Sequence, residues 1–318
     1  MSHIFEALQR AEAERSGNEV AAVDLPIDLL RVAESDVAAQ IKSTKTEVPA
    51  STPGSVFSPT EPRAAEVNES GLLREFQPLP VSLVPDGKLV SVTAQESLAA
   101  EKFRYLAVRL RHLQQRRQLK QLLVTSTMPE EGKSMIAANL ACSLANRKQK
   151  KTVLVEGDLR CPTVQHQFGL GKILGLSEYL QGTNGGELPL YRLDALGIWV
   201  LPAGKSPANP LELLQSGRLA PLMHQLSRWF DWIIIDSPPV LPLGDTSVWA
   251  RLADGILLVV RQGTTDKEQL KRGLETIETN KLIGALVNCS TNTRNGHYYY
   301  RYSSAIAKPD HAPPDSQL

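Results

Sequence analysis

The chain has 318 residues, 42% apolar and 22% charged, with a formal net charge of +1, the values of an ordinary soluble protein with material for one large domain or two modest ones. No stretch approaches the ~20 consecutive apolar residues of a membrane-spanning helix, and residues 1–11 lack the order of a secretory signal, so an integral membrane or secreted protein is not expected. Its three cysteines, Cys142, Cys161 and Cys289, have spacings that support neither a disulfide framework nor a cysteine zinc site, which leaves the cytoplasm as the expected compartment.

The near-neutral average hides an asymmetry. Residues 1–90 carry a net charge of −6, and residues 91–318 a net charge of +7. At the N-terminus, Ile4, Phe5, Leu8 and Ala11 fall on one stripe at helical spacing, so residues 1–15 form either a short docking helix or a frayed tail. Residues 16–88 are dominated by Ala, Glu, Ser, Pro and Val and bury too little apolar surface to offset their ordering entropy; a disordered acidic linker is expected. From residue 89 helical patterns alternate with short apolar runs. A helix over 97–114 precedes a strand at 121–126 and a helix from about Gly132. Further strands are expected at 152–156, 197–201, 232–235, 255–260 and 282–287. This order implies an α/β fold, a doubly wound and mostly parallel sheet with its ligand at the carboxyl ends of the strands.

Three of those strand ends carry chemistry. The segment Val124-Thr-Ser-Thr-Met-Pro-Glu-Glu-Gly-Lys-Ser-Met135 runs from strand through loop into helix, and Gly132-Lys133-Ser134 is the second half of a phosphate-binding loop. In that setting Lys133 reaches the β and γ phosphates and the Ser134 hydroxyl ligates Mg²⁺, although Thr127 stands where the first glycine of the P-loop pattern belongs. Asp236 follows the apolar run Trp232-Ile-Ile-Ile, the arrangement of a Walker B metal-site carboxylate. The run Thr152-Val-Leu-Val-Glu156-Gly-Asp158-Leu-Arg160 sets two more carboxylates at a strand end. Near the C-terminus, Tyr298, Tyr299, Tyr300 and Tyr302 are four of the chain's seven tyrosines and lie in a stretch too polar and proline-rich to be core; by themselves they read as an exposed stacking surface.

These segments, together with Leu201-Pro-Ala-Gly204, Asn209-Pro210, Asp236-Ser-Pro-Pro239 and Ala253-Asp254-Gly255, resemble the bacterial tyrosine kinases of capsule and exopolysaccharide synthesis over residues 89–302. The resemblance implies a P-loop ATPase domain over 89–295 and a flexible tyrosine-rich tail over 296–318 that is autophosphorylated in a neighbouring active site. It implies ATP and Mg²⁺ as cofactors. Residues Thr127, Met128, Pro129, Glu130, Glu131, Gly132, Lys133, Ser134 and Met135 would cradle the nucleotide and Asn288 would contact adenine. Lys133, Asp158 and Asp236 would be catalytic, with Ser134, Asp158 and Asp236 on the metal. It further implies a separate chain-length-determinant membrane activator that holds the kinase at the inner face of the plasma membrane, a cognate tyrosine phosphatase, and self-association.

The sequence departs from the family pattern at three places. Glu130 replaces a usual glycine and Glu156 the first Asp of the Walker A′ pair, and carboxylates pointing at the phosphates would repel them. In the oligomerisation pattern Glu-x-x-Arg-x-x-Arg, Glu101 and Arg104 match but Ala107 replaces the second arginine; Arg109 could substitute from another face. Met128 stands where partitioning ATPases carry an interface lysine, which argues against that branch. The alternative left open is a weakly catalytic nucleotide switch that works by binding partners. The basic residues Arg109, Arg111, Arg116, Arg117, Lys120, Arg147, Lys148, Lys150 and Lys151 lack interleaved aromatics and are read as a solvated face, with no nucleic-acid partner expected.

Overall fold

Seven strands pair into one sheet in the order β3-β4-β2-β5-β1-β6-β7. The computed structural model describes Phe76 and residues 78–81, 88–145, 150–241 and 243–290. In chain order the elements are α1 (Val90–Thr93), α2 (Leu98–Arg116), β1 (Gln121–Ser126), α3 (Lys133–Ala145), β2 (Thr152–Glu156), α4 (Val164–Gln167), α5 (Leu176–Gln181), β3 (Tyr191–Leu193) and β4 (Ile198–Leu201). They continue with α6 (Pro210–Leu214), α7 (Leu219–Trp229), β5 (Trp232–Asp236), α8 (Asp245–Leu252), β6 (Gly255–Arg261), α9 (Lys267–Thr276) and β7 (Leu282–Asn288). All pairings are parallel except β3 with β4. Among the described residues no helix is long and apolar enough to cross a membrane.

The near-continuous apolar runs are what a sheet covered on both faces demands. Along β1, Leu122 and Val124 join a core with Phe103, Leu110, Leu140 and Leu144 of α2 and α3. The intervening Leu123 joins the opposite core with Leu222 and Leu226 of α7, Trp249 of α8 and Leu270 of α9. The alternation is the period-two geometry of a strand expressed as two cores. Helix α2 starts where Ser97 accepts a hydrogen bond from the Ala100 amide at 3.2 Å. It buries Ala100, Phe103, Ala107 and Leu110, a spacing that keeps one face on the sheet layer. On the neighbouring helix α3, the buried Asn139 accepts from the Ser91 amide at 2.9 Å and donates to the Lys88 carbonyl at 2.7 Å, which ties α1 to the loop helix.

The sheet positions the site through its strand order. β1 lies between β5 and β6, and the chain leaves β1 towards β2 before returning to β5, so β1, β2 and β5 end side by side. In register, Asp236 stands opposite Val124 on one side and Glu156 on the other. Strand β3 is not among the expected strands. It is three residues long and antiparallel at the edge, where the Leu79 amide bonds the Arg192 carbonyl at 2.9 Å. Phe76, within the stretch expected to be linker, rests against Trp229 with ring centroids 5.9 Å apart.

Several described members of the basic run, Arg111, Arg117, Lys120 and Lys150, sit at the opposite end of the sheet from these carboxyl ends, and three of them cap backbone carbonyls. Arg111 donates to the Ser143 and Leu144 carbonyls at 3.0 and 3.1 Å, at the C-terminus of α3. Arg117 donates to Asp254 and Lys120 to Ser227, while Lys150 pairs with Asp231 at 3.1 Å. Arg147 and Lys148 lie outside the described residues.

Candidate active site

The loop from β1 into α3 is built as an anion cradle. Gly132 has φ +94°, a conformation that glycine adopts freely, and a β-carbon there would stand 2.3 Å from the Asn288 side-chain nitrogen. Helix α3 opens directly after it, with the Ile136 amide bonding the Gly132 carbonyl at 3.0 Å, so the first amides of a 13-residue helix face the loop's concavity. Glu130 also has positive φ, +63°, and is exposed; its carbonyl accepts from the Arg261 guanidinium at 3.2 Å. Glutamate bears in this conformation a strain that glycine does not. Glu130→Gly is therefore expected to raise thermal stability by about 0.5–1 kcal/mol, after the entropic cost of glycine, and to tighten nucleotide binding; a lowered melting temperature would contradict this.

The Lys133 ammonium lies 3.0 Å from the Asp158 carboxylate and 3.4 Å from the Ser134 hydroxyl. Burial works against its charge, but Asp236 and Asp158 outweigh that effect and hold its pKa above the ordinary lysine value. Asp236 is fully buried, and neither of its carboxylate oxygens has a hydrogen-bond partner. Burial pushes its pKa up to about 7; the Lys133 charge and the nearby Ser134 hydroxyl offset part of that push without satisfying either oxygen. A fully buried carboxylate with two free oxygens beside a hydroxyl and a second carboxylate suits Mg²⁺, which takes one or two protein oxygens and fills its shell from phosphates and water. Among the described residues no group of three His, Cys, Asp or Glu side chains could hold a metal ion by itself.

Glu156 does not face this cluster as a free charge. Its Oε1 accepts from the Thr163 and Val164 amides at 2.5 and 2.6 Å, and its Oε2 from the Ala203 amide at 2.9 Å. Both oxygens are spent on holding the start of α4 and the end of β4, although burial still pushes its pKa up. The Asp158 loop is tied to α8: Arg160 grips Asp245 in a two-bond fork at 2.7 and 3.0 Å, and the Trp249 indole donates to the Gly157 carbonyl at 3.1 Å. A β-carbon on Gly157 would meet the Trp249 ring at 2.7 to 2.8 Å, and that ring is fully buried. Gly157→Ala is expected to cost about 1–3 kcal/mol and, by displacing Asp158, to weaken activity; an unchanged denaturation midpoint would refute it.

The other expected site residues fall in several places. Thr127 is buried under α9, with its methyl facing Gly273 and its hydroxyl without a partner, so its side chain packs beneath the loop. Pro129 is exposed, and Met128 and Met135 are half-buried. The Asn288 amide donates to the Glu131 carbonyl at 2.9 Å, so this residue, expected at adenine, here clasps the loop. Ala107 is fully buried, whereas Glu101 and Arg104 form an ion pair on the α2 surface. Tyr298, Tyr299, Tyr300 and Tyr302, with the N-terminal stripe, lie outside the described residues. Sequence reasoning had no role for Thr265, Arg261 or the Glu131 side chain; the Thr-Asp pair ahead of α9 was the available sign of a capped, ordered turn.

No family profile matches the chain. It is 34% identical over 214 residues to the tyrosine-protein kinase YwqD of Bacillus subtilis (strain 168), covering 67% of this chain and 90% of that protein. The chain belongs to the bacterial tyrosine kinase family. Tyrosine-protein kinase CpsD of Streptococcus pneumoniae is 34% identical over 173 residues, 54% of this chain and 76% of its own length. Two solved kinase-family structures share the fold. The chimerical protein CapA2B2 aligns with TM-score 0.59 and 30% identity over 69% of this chain and 97% of its own. The kinase domain of Escherichia coli tyrosine kinase ETK aligns with TM-score 0.59 and 25% identity over 66% and 83%.

Proposed function

We propose that this member of the tyrosine kinase family is an ATP- and Mg²⁺-dependent autokinase that regulates polymerisation and export of a capsular or exopolysaccharide. The observation that carries this reading is the meeting of Lys133, Ser134, Asp158 and the unpartnered Asp236 at the mouth of the phosphate loop. In the proposed reaction the loop amides and Lys133 hold the nucleotide phosphates, with Lys133 leaving Asp158 to do so. Ser134, Asp158 and Asp236 would hold Mg²⁺, which would supply neutralisation of the phosphate charge. A tyrosyl oxygen then attacks the γ-phosphorus as its bond to the ADP oxygen breaks, and Asp158, freed of Lys133, orients the hydroxyl and receives its proton.

The domain scheme belongs to the same proposal: a kinase domain over 89–295, an acidic linker over 16–88 whose Phe76 and Leu79 lie against that domain, a short helix or a frayed tail over 1–15, and a tail over 296–318 whose tyrosines accept phosphate from a neighbouring copy. So do a separate membrane activator of the chain-length-determinant type that places the kinase at the inner membrane face, self-association, and a cognate phosphatase. The commitment of Glu156 to three backbone amides removes one support of the weak-switch alternative. The test is to incubate purified full-length protein with ATP and Mg²⁺, with and without the activator's cytoplasmic tail, and map phosphate by mass spectrometry. Labelling of Tyr298, Tyr299, Tyr300 or Tyr302, lost when all four are Phe, is expected. A tail that stays unmodified with activator present would overturn the autokinase reading.

A further inference from the structure

The phosphate loop is held by contacts that the proposed reaction does not use. Glu131 is only 2% exposed, although its neighbours Pro129 and Glu130 are exposed. Its Oε2 accepts from the Met128 amide at 2.9 Å, and its Oε1 accepts a short hydrogen bond from the Thr265 hydroxyl, in the turn between β6 and α9. Thr265 is itself fixed, because its oxygen accepts from the Arg261 amide at 3.1 Å. Its single hydrogen then goes to the carboxylate, the stronger acceptor within reach. The carbonyls are taken as well: Met128 accepts from the Ser126 hydroxyl at 2.7 Å, Glu130 from Arg261, and Glu131 from Asn288.

We propose that Glu131 and Thr265 form a positioning pair for the phosphate loop, setting nucleotide affinity without touching a phosphate. The carboxylate turns the Met128 amide inward, which fixes the peptide planes on either side and leaves the following amides facing the concavity. The threonine fastens that carboxylate to the rim of β6, 134 residues away in sequence. An anion cradle binds tightly when its donors are ordered before the ligand arrives, so the pair removes an ordering cost that binding would otherwise carry. The inference rests on the nucleotide-binding reading above and adds the residues that prepare the loop for it. Thr265 bonds the loop directly at Glu131, while its bonds to the Arg261 backbone support it from behind, so the two should act largely as one unit.

The experiment is calorimetric titration of full-length protein with Mg²⁺ and a non-hydrolysable ATP analogue, with hydrogen exchange at the Met128 amide. Glu131→Ala and Thr265→Val are each expected to weaken affinity about tenfold and to release the Met128 amide to faster exchange. The double variant should lose no more than Glu131→Ala alone. Glu131→Gln, which can still accept from Met128 and bond Thr265, should return to within about threefold of wild type, and it guards against a folding defect in the alanine variant. Tail labelling at saturating ATP should change far less than affinity, a split that general destabilisation does not produce. Affinity within twofold of wild type in Glu131→Ala, or losses that multiply in the double variant, would overturn the pair. Wild-type protein giving no heat would instead overturn the nucleotide reading, and the pair's role with it.

Discussion

Asp236→Asn is expected to abolish tail phosphorylation while making the nucleotide-free protein more stable. The carboxylate is fully buried with both oxygens unpartnered, and burial holds its pKa at about 7 against an ordinary 3.8. The folded state therefore keeps a proton that the unfolded state has released, and stability falls as pH rises from about 4 to about 7. Above that window the penalty is constant, on the order of 4 kcal/mol before any relaxation of the site. Asparagine has no charge to bury. At pH 8 and without Mg²⁺, Asp236→Asn should gain about 2 kcal/mol, or roughly 4–8 °C in melting temperature, and the gain should shrink as pH falls through about 7 to about 4, where the group is protonated in both the folded and the unfolded state. Mg²⁺ with nucleotide should stabilise wild type and not the variant, and labelling should fall roughly 100-fold or more. A variant less stable than wild type at pH 8 would show that the buried carboxylate is satisfied in solution.

Lys133→Met should have the opposite effect on stability and the same effect on activity. It leaves Asp158, 3.0 Å from the lost ammonium and nearly buried, without its ion-pair partner and removes the charge that moderates Asp236. Breaking a buried pair by deleting one member costs roughly 3–5 kcal/mol, so the variant should melt at clearly lower temperature. Phosphoryl transfer should fall by roughly a thousandfold, since the proposed reaction loses the cation assigned to the phosphates. Lys133→Arg keeps the charge and should recover most of the stability but little of the activity. Combining Lys133→Met with Asp236→Asn should restore part of the lost stability by removing one of the two stranded carboxylates. Strict additivity of the two single effects would refute the coupling of Lys133 to Asp236.

The parallel strands and the three strand ends that carry chemistry were legible in the sequence because both follow from local pattern. An apolar run of five or six residues with Gly or Asp at its border reads as a buried strand wherever it lies. The chain order of Lys133, Asp158 and Asp236 then brings them together once the sheet is parallel. Strand β3 escaped because Tyr191–Leu193 is too short to show a period and is drafted only as an edge partner of β4. The role of Glu156 escaped for a different reason. A carboxylate at a strand end reads as a metal-site residue, and only the fold brings the amides of Thr163, Val164 and Ala203 around it. The tie between Glu131 and Thr265 joins positions 134 residues apart, which no window of sequence spans.

Strand β7 ends at Asn288, whose side chain clasps the phosphate loop, so the C-terminal segment departs from the very lip of the nucleotide site. Tyr298 is the tenth residue after Asn288, a span of at most about 33–36 Å at full stretch. Under the autokinase reading proposed above, two copies meeting lip to lip would trade acceptors within the reach of that leash. Lengthening the leash with glycine and serine would then dilute the acceptor rather than free it.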